Sequence, residues 1–245
     1  MAKTALILHG WPQTELNQHF LIKFLKKEGY DVLTPSLYFN LKDLNIKNST
    51  NVIINGLEGK KPDLIIGISM GGLILPRVAV KYPNAKLIFI ASGVHFKPNL
   101  LLANLGIMVF RVKLFRKVLI RIGDNIPIEI LEKLYRIFNP YTGDKDREIY
   151  EEDLKLNLIE MKKHPFEKHL ALLDLIENID NREILPNIKN RSLIFNGKND
   201  LLMPRKGGEH LRELLENSKF IVNEGGHFCV FNKKDLSTIK EFLIN

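Results

Sequence analysis

The sequence predicts an α/β fold in which a mostly parallel sheet of about six strands is flanked by helices and interrupted by an inserted helical cap. Short apolar runs alternate with amphipathic segments over roughly the first ninety residues, and the alternation resumes near Arg191. Strands that are apolar on both faces are typical of a parallel sheet covered on both sides. The intervening residues, about a hundred, have only helical periodicity, which predicts the cap.

Glycine and proline mark the element boundaries of the first block. The apolar run that ends at His9-Gly10 predicts a buried strand followed by a turn. Gly29 ends an amphipathic helix, and Pro35 ends the strand that follows it. In chain order, the predicted strands are residues 4–8, 31–34, 63–66 and 86–91, and the predicted helices are residues 18–28, 50–57 and 73–82.

The remaining elements divide into a cap and a second block. Gly123, Pro127, Pro140 and Gly143 separate the helical runs of the cap. The predicted cap helices are residues 100–122, 128–137, 150–161 and 166–177, and the second block contains strands 192–195 and 220–222 and helices 207–215 and 233–243. We therefore predict one core formed by residues 1–95 and 188–245, with residues 96–187 inserted as the cap.

The composition of the 245-residue chain is that of an ordinary globular protein, with 45% hydrophobic and 26% charged residues. The net charge is +8, but lysine and arginine are scattered and no nucleic-acid-binding motif is present, so we expect no nucleic-acid partner. The single cysteine, Cys229, favours a reducing compartment. No signal peptide or membrane-spanning run is recognised, and we predict a cytoplasmic protein.

Ser69 lies in the pattern G-x-S-x-G, formed by Gly67-Ile68-Ser69-Met70-Gly71. The preceding residues predict a strand and the following residues a helix, which is the context of a nucleophile elbow. Such a strained turn presents a serine hydroxyl above a sheet, and glycines flank it because side chains would not fit. The alternative is a turn serine without a catalytic role.

Two further residues follow strands in the order that a serine nucleophile requires. A base must remove the hydroxyl proton, and an acid must orient that base. Asp200 comes after the strand at 192–195, and His227 comes after the strand at 220–222. Asp174 and Asp180 are alternative acids, but both lie in the predicted cap.

An oxyanion hole needs two backbone N–H donors. Met70, the residue after the serine, is the first candidate. The second is Trp11 in the turn His9-Gly10-Trp11-Pro12, because proline has no N–H. We interpret His9 as structural, bonded within its own turn.

These motifs together resemble the α/β-hydrolase superfamily of serine hydrolases. The resemblance implies Ser69 as nucleophile, His227 as general base and Asp200 as the orienting acid. It also implies that the long insertion is a cap or lid. One departure from the family is that the sequence opens directly on the strand that leads into the His-Gly motif, without the two strands that usually come earlier.

We expect a serine esterase that cleaves short- to medium-chain acyl esters or monoacylglycerols. These are small-molecule substrates whose acyl chains suit an apolar lid. His95, Met108 and Met203 are candidates for substrate binding. No histidine pair has metal-ligand spacing, so neither a metal nor another cofactor is expected. A thioesterase, a carbon–carbon bond hydrolase and a non-catalytic ligand-binding protein are the alternatives, and the sequence leaves the oligomeric state open.

The cap suggests a second kind of partner. Residues 100–122 interleave apolar side chains with Arg111, Lys113, Arg116, Lys117 and Arg121. A basic amphipathic helix of this kind binds anionic membranes, which would give a weak membrane-surface contact through the cap. We prefer a helix whose apolar face closes the substrate cavity, and the two roles are compatible.

Overall fold

The computed structural model describes residues 3–11, 19–38, 44–98, 112–138, 147–227, 231 and 233–244. Over these residues, six strands form one sheet in which every neighbouring pair is parallel. The strands are β1 (Lys3–Leu8), β2 (Tyr30–Leu33), β3 (Leu64–Ile68), β4 (Lys86–Ile90), β5 (Ser192–Gly197) and β6 (Ser218–Asn223), in the spatial order β2-β1-β3-β4-β5-β6. The predicted fold class is confirmed.

Helices cover the sheet on both faces. They are α1 (His19–Lys27), α2 (Ile46–Gly56), α3 (Met70–Ala79), α4 (Lys113–Asn125), α5 (Ile128–Phe138), α6 (Arg147–Lys162), α7 (Phe166–Glu177), α8 (Arg205–Leu214) and α9 (Lys233–Ile244), with a short 3₁₀ helix at Leu185–Asn187 that the sequence did not predict. No helix within the described ranges combines the length and the hydropathy needed to cross a bilayer.

Alternate residues of each strand point to opposite hydrophobic clusters. In β1, Leu6 and Leu8 join the cluster that includes α2, α3, α7 and α8, whereas Ala5 and Ile7 join the cluster that includes α1 and α9. Because side chains alternate across a strand, both faces of the sheet are buried. The burial of both faces explains why the strands appear in the sequence as continuous apolar runs.

Four helices, α2, α3, α6 and α8, begin two to four residues earlier than the sequence predicted. α2 starts at Ile46 because the side chain of Asn45 accepts a hydrogen bond of 2.9 Å from the N–H of Asn48 and caps the helix. α3 starts at Met70, directly after Ser69, and contains Pro76. The turn at Ser69 therefore leads into the helix without an intervening loop.

Helices α4 to α7 lie between β4 and β5 in the chain, within the predicted cap, and we keep the name cap for these four helices. The segments that leave and re-enter the core meet at an antiparallel bridge between His95 and Asp180. Leu172, Leu175 and Ile176 of α7 are part of the core, and α4 packs on α7 through an ion pair of 2.7 Å between Arg116 and Asp174. The first part of the predicted helix 100–122 lies outside the described residues.

Candidate active site

Ser69 occupies a strained turn between β3 and α3. Its φ is 49° and its ψ is −111°, a backbone conformation that side-chain-bearing residues rarely adopt. The Ser69 N–H donates to the Ile90 carbonyl at 2.8 Å, and the Ser92 hydroxyl donates to the Ser69 carbonyl at 3.0 Å. The end of β4 thus holds both backbone polar groups of the serine, which fixes the elbow.

Glycines allow the elbow to pack closely. A Cβ atom on Gly67 would lie 2.6 Å from the Cα atom of Gly72, and one on Gly71 would overlap the carbonyl oxygen of Leu8. The second contact places the start of α3 against the end of β1. The turn that follows β1, from His9 to Trp11, therefore lies beside Ser69.

The structure brings Ser69, His227 and Asp200 into one chain of hydrogen bonds. His227 Nδ1 is 2.9 Å from Asp200 Oδ2 and 3.0 Å from Oδ1, and His227 Nε2 is 2.9 Å from Ser69 Oγ. Because a carboxylate only accepts hydrogen bonds, Nδ1 carries the proton. Nε2 is then free to accept the hydroxyl proton of Ser69.

Asp200 is held in place by its own loop. Its side chain is fully buried, and Oδ1 accepts hydrogen bonds from the N–H groups of Leu202 at 2.9 Å and Met203 at 2.8 Å. Charge-assisted bonds of this kind are short and directional. The carboxylate therefore has a fixed orientation toward the His227 ring.

His9 has the structural position that the sequence predicted. It is buried, its Nδ1–H donates to the Gly10 carbonyl at 2.8 Å, and its Nε2 accepts from the Leu37 N–H at 2.7 Å. Burial lowers the pKa of His9 from 6.5 to about 4, although the hydrogen bond to Gly10 opposes the shift. The neutral ring clamps the turn that leads to Trp11.

The two candidate oxyanion donors, Met70 and Trp11, lie at the start of α3 and in the turn after β1. Met70 is the first residue of α3, and the first N–H groups of a helix have no partner within it. The indole Nε1–H of Trp11 donates to the His169 carbonyl at 3.0 Å. This bond joins the turn after β1 to α7 of the cap.

A cluster of aromatic rings extends this contact and was not predicted. Tyr38 stacks on His164 with a centroid distance of 3.9 Å, and its hydroxyl lies 3.1 Å from His169 Nδ1. The other ring nitrogen of His169 donates to the Met161 carbonyl at 2.9 Å. Tyr38 and His169 are 131 positions apart, and local sequence patterns carry no signal for such a pair.

Two of the three candidate substrate residues line one cavity. His95 and Met203 both face a space of about 880 Å³ that Asp200 also lines. The burial of His95, opposed by the charge of Asp180, lowers the pKa of its imidazole. Met108 lies outside the described residues. Within the described ranges, no three histidine, cysteine or acidic side chains are grouped so as to hold a metal ion.

Comparison with known proteins relates the chain to one family. Residues 4–234 match the model of a protein family described as alpha/beta hydrolase fold. The comparison with curated proteins gave no match.

Several solved structures superpose on nearly the whole chain. An esterase from Thermogutta terrifontis has a TM-score of 0.74 at 17% identity, with 100% of this chain and 90% of that chain covered. An enol-lactonase from Burkholderia xenovorans LB400 has a TM-score of 0.75 at 16% identity and coverage of 100% and 92%. A meta-cleavage product hydrolase from Pseudomonas fluorescens IP01 has a TM-score of 0.68 at 19% identity and coverage of 99% and 88%. At these identities the likeness shows the fold alone.

Proposed function

The chain belongs to the α/β-hydrolase fold family, and from that premise we propose that it is a serine hydrolase that cleaves carboxylic esters. The observation that carries the proposal is the hydrogen-bond chain from Ser69 Oγ through His227 to Asp200. Its order and its lengths of 2.9 to 3.0 Å are those that a serine nucleophile needs for activation.

In the proposed mechanism, Ser69 Oγ attacks the ester carbonyl while His227 Nε2 takes its proton. Asp200 keeps the imidazole in the required tautomer and stabilises the imidazolium. The N–H groups of Met70 and Trp11 hold the negative charge that develops on the carbonyl oxygen. His227 then gives its proton to the leaving alcohol, and a water molecule activated by the same ring hydrolyses the acyl-enzyme.

The proposed substrates are short- to medium-chain acyl esters or monoacylglycerols. The leucine, isoleucine, phenylalanine and methionine residues of the cap sequence support this class, because an apolar lid suits an acyl chain. The cavity of about 880 Å³ has the volume of a ligand site, but Asp200 lines it and Ser69 and His227 do not, so it lies beside the proposed acid rather than at the proposed nucleophile. Val94, Leu201 and Met203 give it an apolar part.

We place the reaction in the cytoplasm because the single cysteine favours a reducing compartment.

Labelling by a fluorophosphonate probe tests the nucleophile. We expect wild-type protein to be labelled and Ser69→Ala to take no label, because only the activated serine reacts at an appreciable rate. Ser237→Ala is the matched control and should be labelled like wild type, since the hydroxyl of this serine in α9 donates to Glu241 rather than to a histidine. Equal labelling of wild type and Ser69→Ala would contradict the proposal.

Turnover of p-nitrophenyl esters across acyl chain lengths tests the substrate class. We expect the highest kcat/KM at short to medium chains. A labelled protein that hydrolyses no ester of any length would contradict the esterase assignment, and a thioesterase or carbon–carbon bond hydrolase would then take its place. The similarity in fold to a meta-cleavage product hydrolase is the reason to retain that alternative.

A further inference from the structure

One face of α4 is both apolar and exposed. Phe115, Val118 and Ile122 are 52%, 50% and 53% exposed, and their spacing of three or four residues places them on one side of the helix. Val112, which is 47% exposed, directly precedes the helix as its N-cap. We call these four residues the cap face. These four side chains are not enclosed between cap and core. Residues 100–111, the other part of the helix that we expected to close the substrate cavity, lie outside the described residues.

The cap face forms the outer layer of the structure. α7 packs on the core, and α4 packs on α7 through Arg116, which pairs with Asp174, and through Gly123, whose Cβ would overlap the ring of Phe166. The side of α4 that carries Gly123 is thus used for packing. The cap face points elsewhere, and exposed apolar groups that are contiguous mark interaction sites on soluble proteins.

Cations lie next to the cap face. Lys117 and Arg121 are exposed and precede Val118 and Ile122 by one position each. Within the described residues, neither side chain forms an ion pair. α4 carries four basic residues and one acidic residue, Asp124, which accepts a hydrogen bond from the Phe166 N–H. The partner of this surface should therefore be apolar and negatively charged.

A second copy of the chain fits this surface poorly. A two-fold contact through the cap face would bring Lys117 and Arg121 of one copy close to the same residues of the other. Like charges at an interface oppose association, and the net charge of +8 adds to the repulsion.

We propose that the cap face docks on an anionic lipid bilayer. The four apolar side chains enter the boundary between head groups and acyl chains, and Lys117 and Arg121 contact the lipid phosphates. A helix with an apolar side and flanking cations lies in the plane of the interface in this way, and cations close to an anionic surface are attracted to it. This surface goes beyond the proposed hydrolase activity, because it would bring the cap to the membrane whichever bond the enzyme cleaves.

Co-sedimentation with vesicles tests the proposal. We expect wild-type protein to bind vesicles of phosphatidylcholine mixed with phosphatidylglycerol, to bind pure phosphatidylcholine weakly, and to dissociate as salt rises. Val118→Glu should lower the partition coefficient at least about tenfold, because it removes apolar contact and adds a negative charge. The double variant Lys117→Glu with Arg121→Glu should abolish the preference for anionic vesicles.

Matched variants separate the cap face from general effects of charge. Val80 is 56% exposed but lies at the end of α3, so Val80→Glu should bind as wild type does. Lys61→Glu with Lys81→Glu changes the net charge equally and should retain most of the binding. Thermal melts followed by circular dichroism report folding independently of enzyme activity.

Three outcomes would overturn the proposal. Wild-type protein could fail to bind anionic vesicles, or folded Val118→Glu could bind them as well as wild type does. Alternatively, sedimentation velocity could show a dimer that Val118→Glu dissociates while vesicles capture neither form. The last result would assign the cap face to a second copy of the chain.

Discussion

Trp11 connects the two parts of the molecule at the level of a single side chain. Its backbone N–H is one of the two proposed oxyanion donors, and its indole donates to the His169 carbonyl of α7 at 3.0 Å. His9 holds Gly10, the residue before Trp11, by donating to its carbonyl, and the His9 ring is itself held by the Leu37 N–H. The turn is thus held from the core on one side and from the cap on the other.

Trp11→Phe should lower kcat for ester hydrolysis while KM changes little. The substitution keeps an aromatic ring but removes the indole N–H. The turn therefore loses its bond to the cap, and the proposed oxyanion donor is no longer held in a fixed position. Loss of one hydrogen bond of about 1 kcal/mol corresponds to a roughly fivefold effect on rate. Steady-state kinetics with a p-nitrophenyl ester measures both constants.

Tyr38→Phe is the control for this prediction. It removes a hydroxyl that lies 3.1 Å from the His169 ring but leaves the indole bond of Trp11 intact, so kcat should fall less. An unchanged kcat in folded Trp11→Phe would show that the contact with α7 does not position the turn.

Single residues also show what could be read from the sequence. Ser69, Asp200 and His227 were predictable because each follows an apolar strand in a fixed chain order, and the structure places them within hydrogen-bond distance. The contacts of Tyr38 with His164 and His169 were not predictable. They depend on how the cap folds back on the core, which local patterns do not encode.

At the scale of elements, the close approach of α3 to β1 determines the geometry around Ser69. Gly71 lies against the carbonyl oxygen of Leu8, so the helix can begin directly beside the end of the strand. A methyl group at this position would push the first turn of α3 away from β1. The elbow and the turn that contains Trp11 would then separate.

Gly71→Ala should destabilise the protein by about 2 kcal/mol or more, because overpacking against a backbone atom cannot relax through a side-chain rotation. Gly56→Ala is the matched control. Gly56 is also in a helix, and its added Cβ would meet nothing within 4 Å, so this variant should be neutral or more stable by up to about 1 kcal/mol. Urea unfolding gives both values, and equal stabilities of the two variants would contradict the prediction.

Element boundaries were less predictable than the elements themselves. β6 extends from Ser218 to Asn223, well beyond the predicted residues 220–222, because it pairs along its whole length with β5. Ser218 and Asn223 are polar, so hydrophobic patterning does not include them. Backbone pairing with a neighbouring strand extends an element beyond its apolar centre.

At the scale of the whole molecule, the alternation of strands and helices was sufficient to predict the parallel sheet. The position of the cap helices relative to the core could not be predicted. These helices contact the core through few residues, and the partners of those residues are distant in the chain. Three histidines lie at this boundary around Tyr38. Their protonation couples the stability of the molecule to pH.

His9 and His169 are buried and neutral in the folded protein. Burial lowers the pKa of each from 6.5 to about 4, and the charge of His164 acts in the same direction. In the unfolded chain both return to about 6.5. Between pH 6.5 and pH 4 the unfolded state therefore binds more protons than the folded state, so stability falls as the pH falls through this range.

The expected loss at pH 5, relative to pH 7.5, is roughly 2 kcal/mol for each histidine. Asp180, whose pKa is lowered to about 2 by its hydrogen bonds with Arg182, affects stability only at more acidic pH and does not overlap this window. Urea unfolding across this range should show a slope that His169→Gln clearly reduces, because the variant removes one of the two histidines with the largest pKa shifts. His95 and His164, whose pKa values burial also lowers, contribute less. His9 would remain as the second source of the slope. If wild-type stability stays constant from pH 7.5 to pH 5, or if His169→Gln leaves the slope unchanged, the buried neutral histidines do not control the acid stability of the protein.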